Sequence, residues 1–149
     1  MEKKQLLWDA CMNYVEERIR RIETAIKDLE DALKLETKCS MGDKYETGRA
    51  MLHLEFEKLS GQHEEYRKLK KTLRMIEPKK VFETVSFGAA INTDGPNYFI
   101  SIPAGEIKLR DEVFYAVGAS APIARALSGK KSGESVTFNG KAIFIKSVF

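Results

Sequence analysis

Within SMGDKYETGR, residues 40–49, the segment GDKYE places Asp43 and Glu46 three residues apart. Two carboxylates at that spacing suit two kinds of chemistry. An Asp at a helix N-cap with a Glu at N3 forms a capping box, in which the side chains satisfy orphan backbone N–H groups. Alternatively the pair engages one divalent cation, since helical positions i and i+3 bring Cβ atoms to roughly 5–6 Å. Hard carboxylate oxygens suit Mg²⁺, which keeps several waters and takes further oxygen ligands from elsewhere. Two acids are therefore an incomplete metal site that a second macromolecule would have to complete. The five residues alone leave capping and metal binding both open.

The elements around the acids follow from periodicity. Trp8, Met12, Val15, Ile19, Ile22, Ile26, Leu29 and Leu33 step by 4 and 3 in alternation, the seam of a heptad coiled coil. Leu52, Phe56, Leu59, His63, Tyr66, Leu69, Leu73 and Ile76 form a second seam, which extends back to Arg49 and Tyr45. The polar stretch ETKCSMGD between them supplies turn and cap residues. A helix, a short turn near Met41 and a returning helix are predicted, with residue i facing residue 82 − i, so that Ile19 lies opposite His63. Helices of about 33 residues are about 50 Å long, which sets the turn far from the rest of the chain. Counted from the Tyr45–Leu52 line, Glu46 projects about 100° and Asp43 about 160° from the seam. Both acids would thus face away from the partner helix, beside the small residues Thr47 and Ala50.

Pro78 is expected to end the second helix, and EPKK to form the boundary between a hairpin at 1–77 and a second domain at 81–149. The composition changes there: 34 of the first 80 residues are charged, against 13 of the last 69. Strand-like runs follow in VFETVSFGAAI, NYFISI, DEVFYAV, SVTF and KAIFIKSV, with DGPN, PAGE and NGK as turns. One short helix is predicted in between, capped by Ser120, with Pro122 in its first turn and Gly129 as its stop. The fold class is α+β in two domains: a long antiparallel coiled-coil hairpin, then a small β-rich domain with one short helix.

Composition excludes several functions. The 149 residues carry 25 basic and 22 acidic side chains, an excess of +3 that is too small for general coating of DNA. Asp9 interrupts the apolar N-terminal stretch, and the uncharged runs are too short for a bilayer, so a soluble cytoplasmic protein is expected. Cys11 and Cys39 would lie roughly 42 Å apart on one helix, too far for a disulfide. They and His53 and His63 are too scattered for a zinc set, and His63 reads as a packed, hydrogen-bonded core residue. No nucleophile triad, phosphate loop or dinucleotide fingerprint is present. Arg18, Arg21, Arg67, Lys68, Lys70, Lys71 and Arg74 fall in the basal half of the hairpin. They read singly as a solvated flank with partners such as Glu17 and Glu64, and together as a surface for a nucleic-acid backbone. Tyr45 offers a ring that could stack on a base, although its seam position favours packing.

A hairpin with GDxxE at its turn, followed by APIARALSGKKSGESV, resembles the bacterial Gre transcript cleavage factors. The C-terminal signature of that family reads approximately SPxxxALxGKxxGDxV. It is matched by Pro122, Ala126, Leu127, Gly129, Lys130, Gly133 and Val136, with Ala121 for Ser and Glu134 for Asp. The resemblance spans nearly the whole chain. It implies that the hairpin enters the secondary channel of RNA polymerase, the partner. Asp43 and Glu46 would there help to hold a Mg²⁺ shared with the polymerase, not stably bound by this chain. Lys44 and Tyr45 would contact RNA or polymerase beside the nascent RNA 3′ end. The second domain, of the FK506-binding-protein type in that family, would dock on the polymerase through Pro122, Gly129, Lys130 and Lys131. The chain would not itself be an enzyme but would stimulate the polymerase's own nuclease, acting as a monomer. The family usually continues ENAEY after the turn, whereas Thr47, Gly48, Arg49 and Ala50 follow Glu46 here. A channel regulator without cleavage stimulation thus stands as an alternative, as does a coiled-coil adaptor or chaperone-like module.

Overall fold

A computed structural model describes the backbone of residues 2–38 and 42–149, and the side chains of 3–35 and 48–149. Helix α1 spans Glu2–Lys38 and helix α2 spans Gly42–Arg74. The chain forms two compact units, one made of residues 15–69 and the other of residues 1–14 with 70–149.

In the first unit the two helices run antiparallel, and Glu23 Oε2 lies 3.2 Å from His63 Nε2. Ile22 and Leu29 are buried and the remaining seam positions are mostly half-buried, as expected where only two helices share a seam. His63 is hydrogen-bonded as predicted. It is not a core residue, however, because a two-helix seam leaves its ring a quarter exposed and within reach of Glu23.

The second unit holds a six-stranded sheet in the order β3-β4-β2-β1-β6-β5. The strands are β1 (Ala90–Thr93), β2 (Asn97–Ser101), β3 (Gly105–Leu109), β4 (Glu112–Gly118), β5 (Ser135–Phe138) and β6 (Lys141–Val148). Among the described residues only β2 and β4 pair in parallel. The β5–β6 hairpin turns on Asn139–Gly140, both at positive φ, the Asn-Gly chemistry of a two-residue turn.

Alternation sorts the two faces of the sheet. Ile91 and Ile100 join Val85, Leu127, Val136 and Ile145 in one core, under helix α3 (Pro122–Leu127). Phe99, Phe114 and Ser101 belong to the opposite face, where the first turns of α1 pack. Cys11 Sγ approaches Ser101 Oγ at 3.7 Å there. Lys3 pairs with Glu112 at 2.5 Å, Glu112 accepts from Asn92, and Asn92 accepts from Ser147. This chain of polar contacts ties the start of α1 to β4, β1 and β6.

Several local expectations are corrected. The run 81–91 is not one strand, because only its last two residues enter β1. The earlier part pairs instead with the segment after α3: the Val85 N–H donates to the Lys130 carbonyl, and Gly129 donates to Val85. Residues read as a turn in PAGE begin β3, paired antiparallel with β4. Ser120 does not cap α3: Ala121 is the cap residue and makes no side-chain bond, while Pro122 sits in the first turn as predicted. Helix α2 ends at Arg74, four residues before Pro78, in tight turns closed by Met75 and Ile76. At the start of α1 the fully buried positions are Leu7 and Cys11, not Trp8 and Met12, because the sheet rather than the partner helix covers that face.

Candidate functional site

Helix α2 begins at Gly42, so Asp43 and Glu46 both lie in its first two turns. Asp43 therefore stands inside the helix, past the cap position that the capping box would give it. The side chains of Asp43, Lys44, Tyr45 and Glu46 lie outside the described residues, as do Cys39, Ser40 and Met41 altogether. The helical backbone nevertheless fixes the i, i+3 relationship, the spacing at which two carboxylates bring their Cβ atoms to about 5–6 Å. Among the described residues no three His, Cys, Asp or Glu side chains converge as a metal site.

The basic residues belong to two separate groups. In the helical unit Arg21 pairs with Glu17 at 2.5 Å, Arg67 with Glu64 at 3.3 Å and Lys68 with Glu65 at 3.5 Å. Arg18 is half-buried. These are exposed intrahelical pairs, each worth about 0.3–0.5 kcal/mol, as the solvated-flank reading expects. In the sheet unit Lys71 and Arg74 occupy the last turn of α2, where positive charge faces the negative end of the helix dipole. Lys70 lies just before them and is half-buried.

The segment APIARALSGKKSGESV forms α3 and the loop into β5. Leu127 is fully buried and Val136 belongs to the same core. Gly129 and Gly133 adopt φ of +77° and +91°, which L side chains rarely take. Gly133 donates its N–H to Ile145, and the Lys131 N–H donates to the Glu134 carboxylate at 2.8 Å. Most matched positions of this segment thus build its shape. Lys131 is exposed and Lys130 half-buried, with Pro122 exposed at the start of α3.

Sequence reasoning missed Lys4. Its side chain is buried, 2% exposed, although its Nζ donates to the Lys80 carbonyl at 2.5 Å and lies 4.3 Å from the centre of the Phe82 ring. Burial, and secondarily the Lys80 ammonium, lower its pKa to about 8. It lines a cavity of about 30 Å³ with Pro78, Lys80 and Phe149, room for water but not for an organic ligand. The missed signal was a lysine in line with Leu7 and Cys11, at spacings of 3 and 4.

No protein-family model matches this chain, and no curated protein does. Among solved structures, the chain is similar to one of the transcription factor Gfh1, with 14% identity, a TM-score of 0.38 and 93% of each chain covered. It is also similar to the GreA factor homolog 1 (Gfh1) protein of Thermus thermophilus, with 11% identity, a TM-score of 0.35, and 94% and 95% of the two chains covered. Among the described residues no helix is long and apolar enough to cross a membrane.

Proposed function

We propose that the protein is a Gre-type transcription elongation factor that binds RNA polymerase and stimulates cleavage of backtracked RNA. The observation that carries this reading is the placement of Asp43 and Glu46 one turn apart where α2 begins, in a helical hairpin whose chain continues into the signature-bearing sheet domain. Two hard carboxylates suit Mg²⁺ and are too few to hold it without ligands from a partner. When bound, the ion would supply the activation of water for phosphodiester hydrolysis. This chain's own part is to carry the two carboxylates to the polymerase's catalytic centre at a fixed helical spacing, while the polymerase supplies the remaining ligands and the substrate. The sheet domain would hold the factor on the polymerase through Pro122, Gly129, Lys130 and Lys131.

Addition of the protein to stalled, backtracked elongation complexes should release short RNA fragments. The Asp43→Ala, Glu46→Ala variant should bind polymerase and release none. A wild type that binds without releasing fragments would remove the cleavage role. The second reading, a channel regulator without stimulation, would then hold; it is favoured by Thr47, Gly48, Arg49 and Ala50, which depart from the family's usual residues.

A further inference from the structure

Lys3 and Lys4 at the start of α1 and Lys79 and Lys80 after α2 all belong to the sheet-bearing unit. Lys3 pairs with Glu112 at 2.5 Å, whereas among the described residues no carboxylate pairs with Lys4, Lys79 or Lys80. Lys4 is the buried one, and its ammonium carries three N–H donors. The Lys80 carbonyl accepts one of them, and the Phe82 ring, 4.3 Å away, offers its face to the charge. A pKa of about 8 still leaves this amine protonated at neutral pH, so a positive charge is buried without a counter-charge. Beside it lies the cavity of about 30 Å³, lined also by Pro78, Lys79, Lys80, Val81 and Phe149, none of them acidic.

We propose that this cavity binds one small inorganic anion of the size of chloride, held by the Lys4 ammonium and flanked by Lys79 and Lys80. Volume sets the class. At about 10–15 Å³ per water sphere the space takes one or two waters or a single chloride, and is too small for a tetrahedral oxyanion. Charge sets the sign. A water would satisfy the remaining N–H groups but leave the Lys4 and Lys80 ammoniums repelling each other, a repulsion that already disfavours the charged form of Lys4 and that an anion relieves. Bound there, the anion joins the start of α1 to the segment 78–81 that leads into the strands.

The test compares the melting midpoint of the full chain in sodium chloride and in sodium gluconate at equal ionic strength and pH 7. With a dissociation constant on the order of 10 mM, about 200 mM chloride should raise the midpoint by about 5 °C over gluconate, whose anion is too large for the cavity. Lys4→Met should remove the difference, and Lys80→Gln, which keeps the carbonyl, should reduce it. Lys58→Gln, at an exposed position on α2, should leave it in place. In the wild type, chloride should also raise the titration midpoint of Lys4, followed by the carbon-13 resonance of its Cε, by about one pH unit. Equal melting midpoints in the two salts would overturn the site, as would a chloride response that survives Lys4→Met. A Lys4 titration that sulfate moves as far as chloride does would overturn the cavity as the place of binding.

Discussion

The indole N–H of Trp8, on α1, donates to the main-chain carbonyl of Leu73 at 2.9 Å. Leu73 lies in the last turn of α2, and its carbonyl also accepts from the Ile76 N–H, so Trp8 adds a second donor at the end of the returning helix. The pairing also fixes the antiparallel register at the start of α1, one residue from the Arg74 expected by sequence. Trp8→Phe keeps the ring and loses the bond. It should cost about 1 kcal/mol and lower the melting temperature by about 2–4 °C, read by circular dichroism.

Lys4 gives the fold a pH dependence of definite sign. Its pKa falls from 10.5 to about 8 on folding, mainly through burial. Below pH 8 both folded and unfolded chains hold the proton, and the cost of burying the charge is fully present. Between pH 8 and 10.5 the unfolded chain binds more protons, so stability rises with pH through that window. In Lys4→Met this contribution is absent. Urea unfolding at pH 7.5 and pH 10 should therefore show a less favourable pH response for the variant than for wild type.

Gly129 ends α3 at φ +77°, and a Cβ there would meet nothing within 4 Å. Gly129→Ala should thus destabilise through backbone strain alone, by about 1–2 kcal/mol, without loss of a contact. Denaturant unfolding should show a lower midpoint at an unchanged slope.

Cys11 is buried beside Ser101, and burial pushes its thiol up to about 11 despite the opposing Ser101 bond. A thiol that stays protonated and covered is a poor nucleophile. In a Cys39→Ser background, Cys11 should resist maleimide at neutral pH and react at once in denaturant, as mass spectrometry would show.

At the start of α2, Asp43→Asn with Glu46→Gln preserves side-chain size and removes both charges. Fragment release from backtracked complexes should fall by at least about a hundredfold, the scale of losing a transition-state electrostatic contact. Binding to the polymerase should change far less.

Much of this architecture was legible in the sequence because long repeats average out local noise. The 4-3 alternation from Val15 to Leu33 and the second series from Leu52 reported the two helices, and Asn139–Gly140 marked a hairpin whose strands match those read from SVTF and KAIFIKSV. Legibility failed where tertiary partners decide. Gly105–Leu109 forms a strand because β4 lies alongside it, and GEIKL has no long alternation to announce that. Leu7 and Cys11 displaced Trp8 and Met12 as the buried line because the sheet covers the start of α1, which a helix-on-helix reading has no means to anticipate. Lys4 was hidden for the same reason, since its aliphatic stem follows the apolar line while its amine finds the Lys80 carbonyl. Of the candidate site, the spacing of Asp43 and Glu46 was readable, because it needs only the helical period.

The sheet-bearing unit is assembled from both ends of the chain, residues 1–14 and 70–149. This has a consequence for biosynthesis. Leu7 and Cys11 leave the ribosome well before their cover does, since the Ser101 that Cys11 meets is made some ninety residues later. The intervening helices can pair while the first segment still waits with its apolar side uncovered. That apolar side stays uncovered until the strands that carry Phe99, Ser101 and Phe114 have been made.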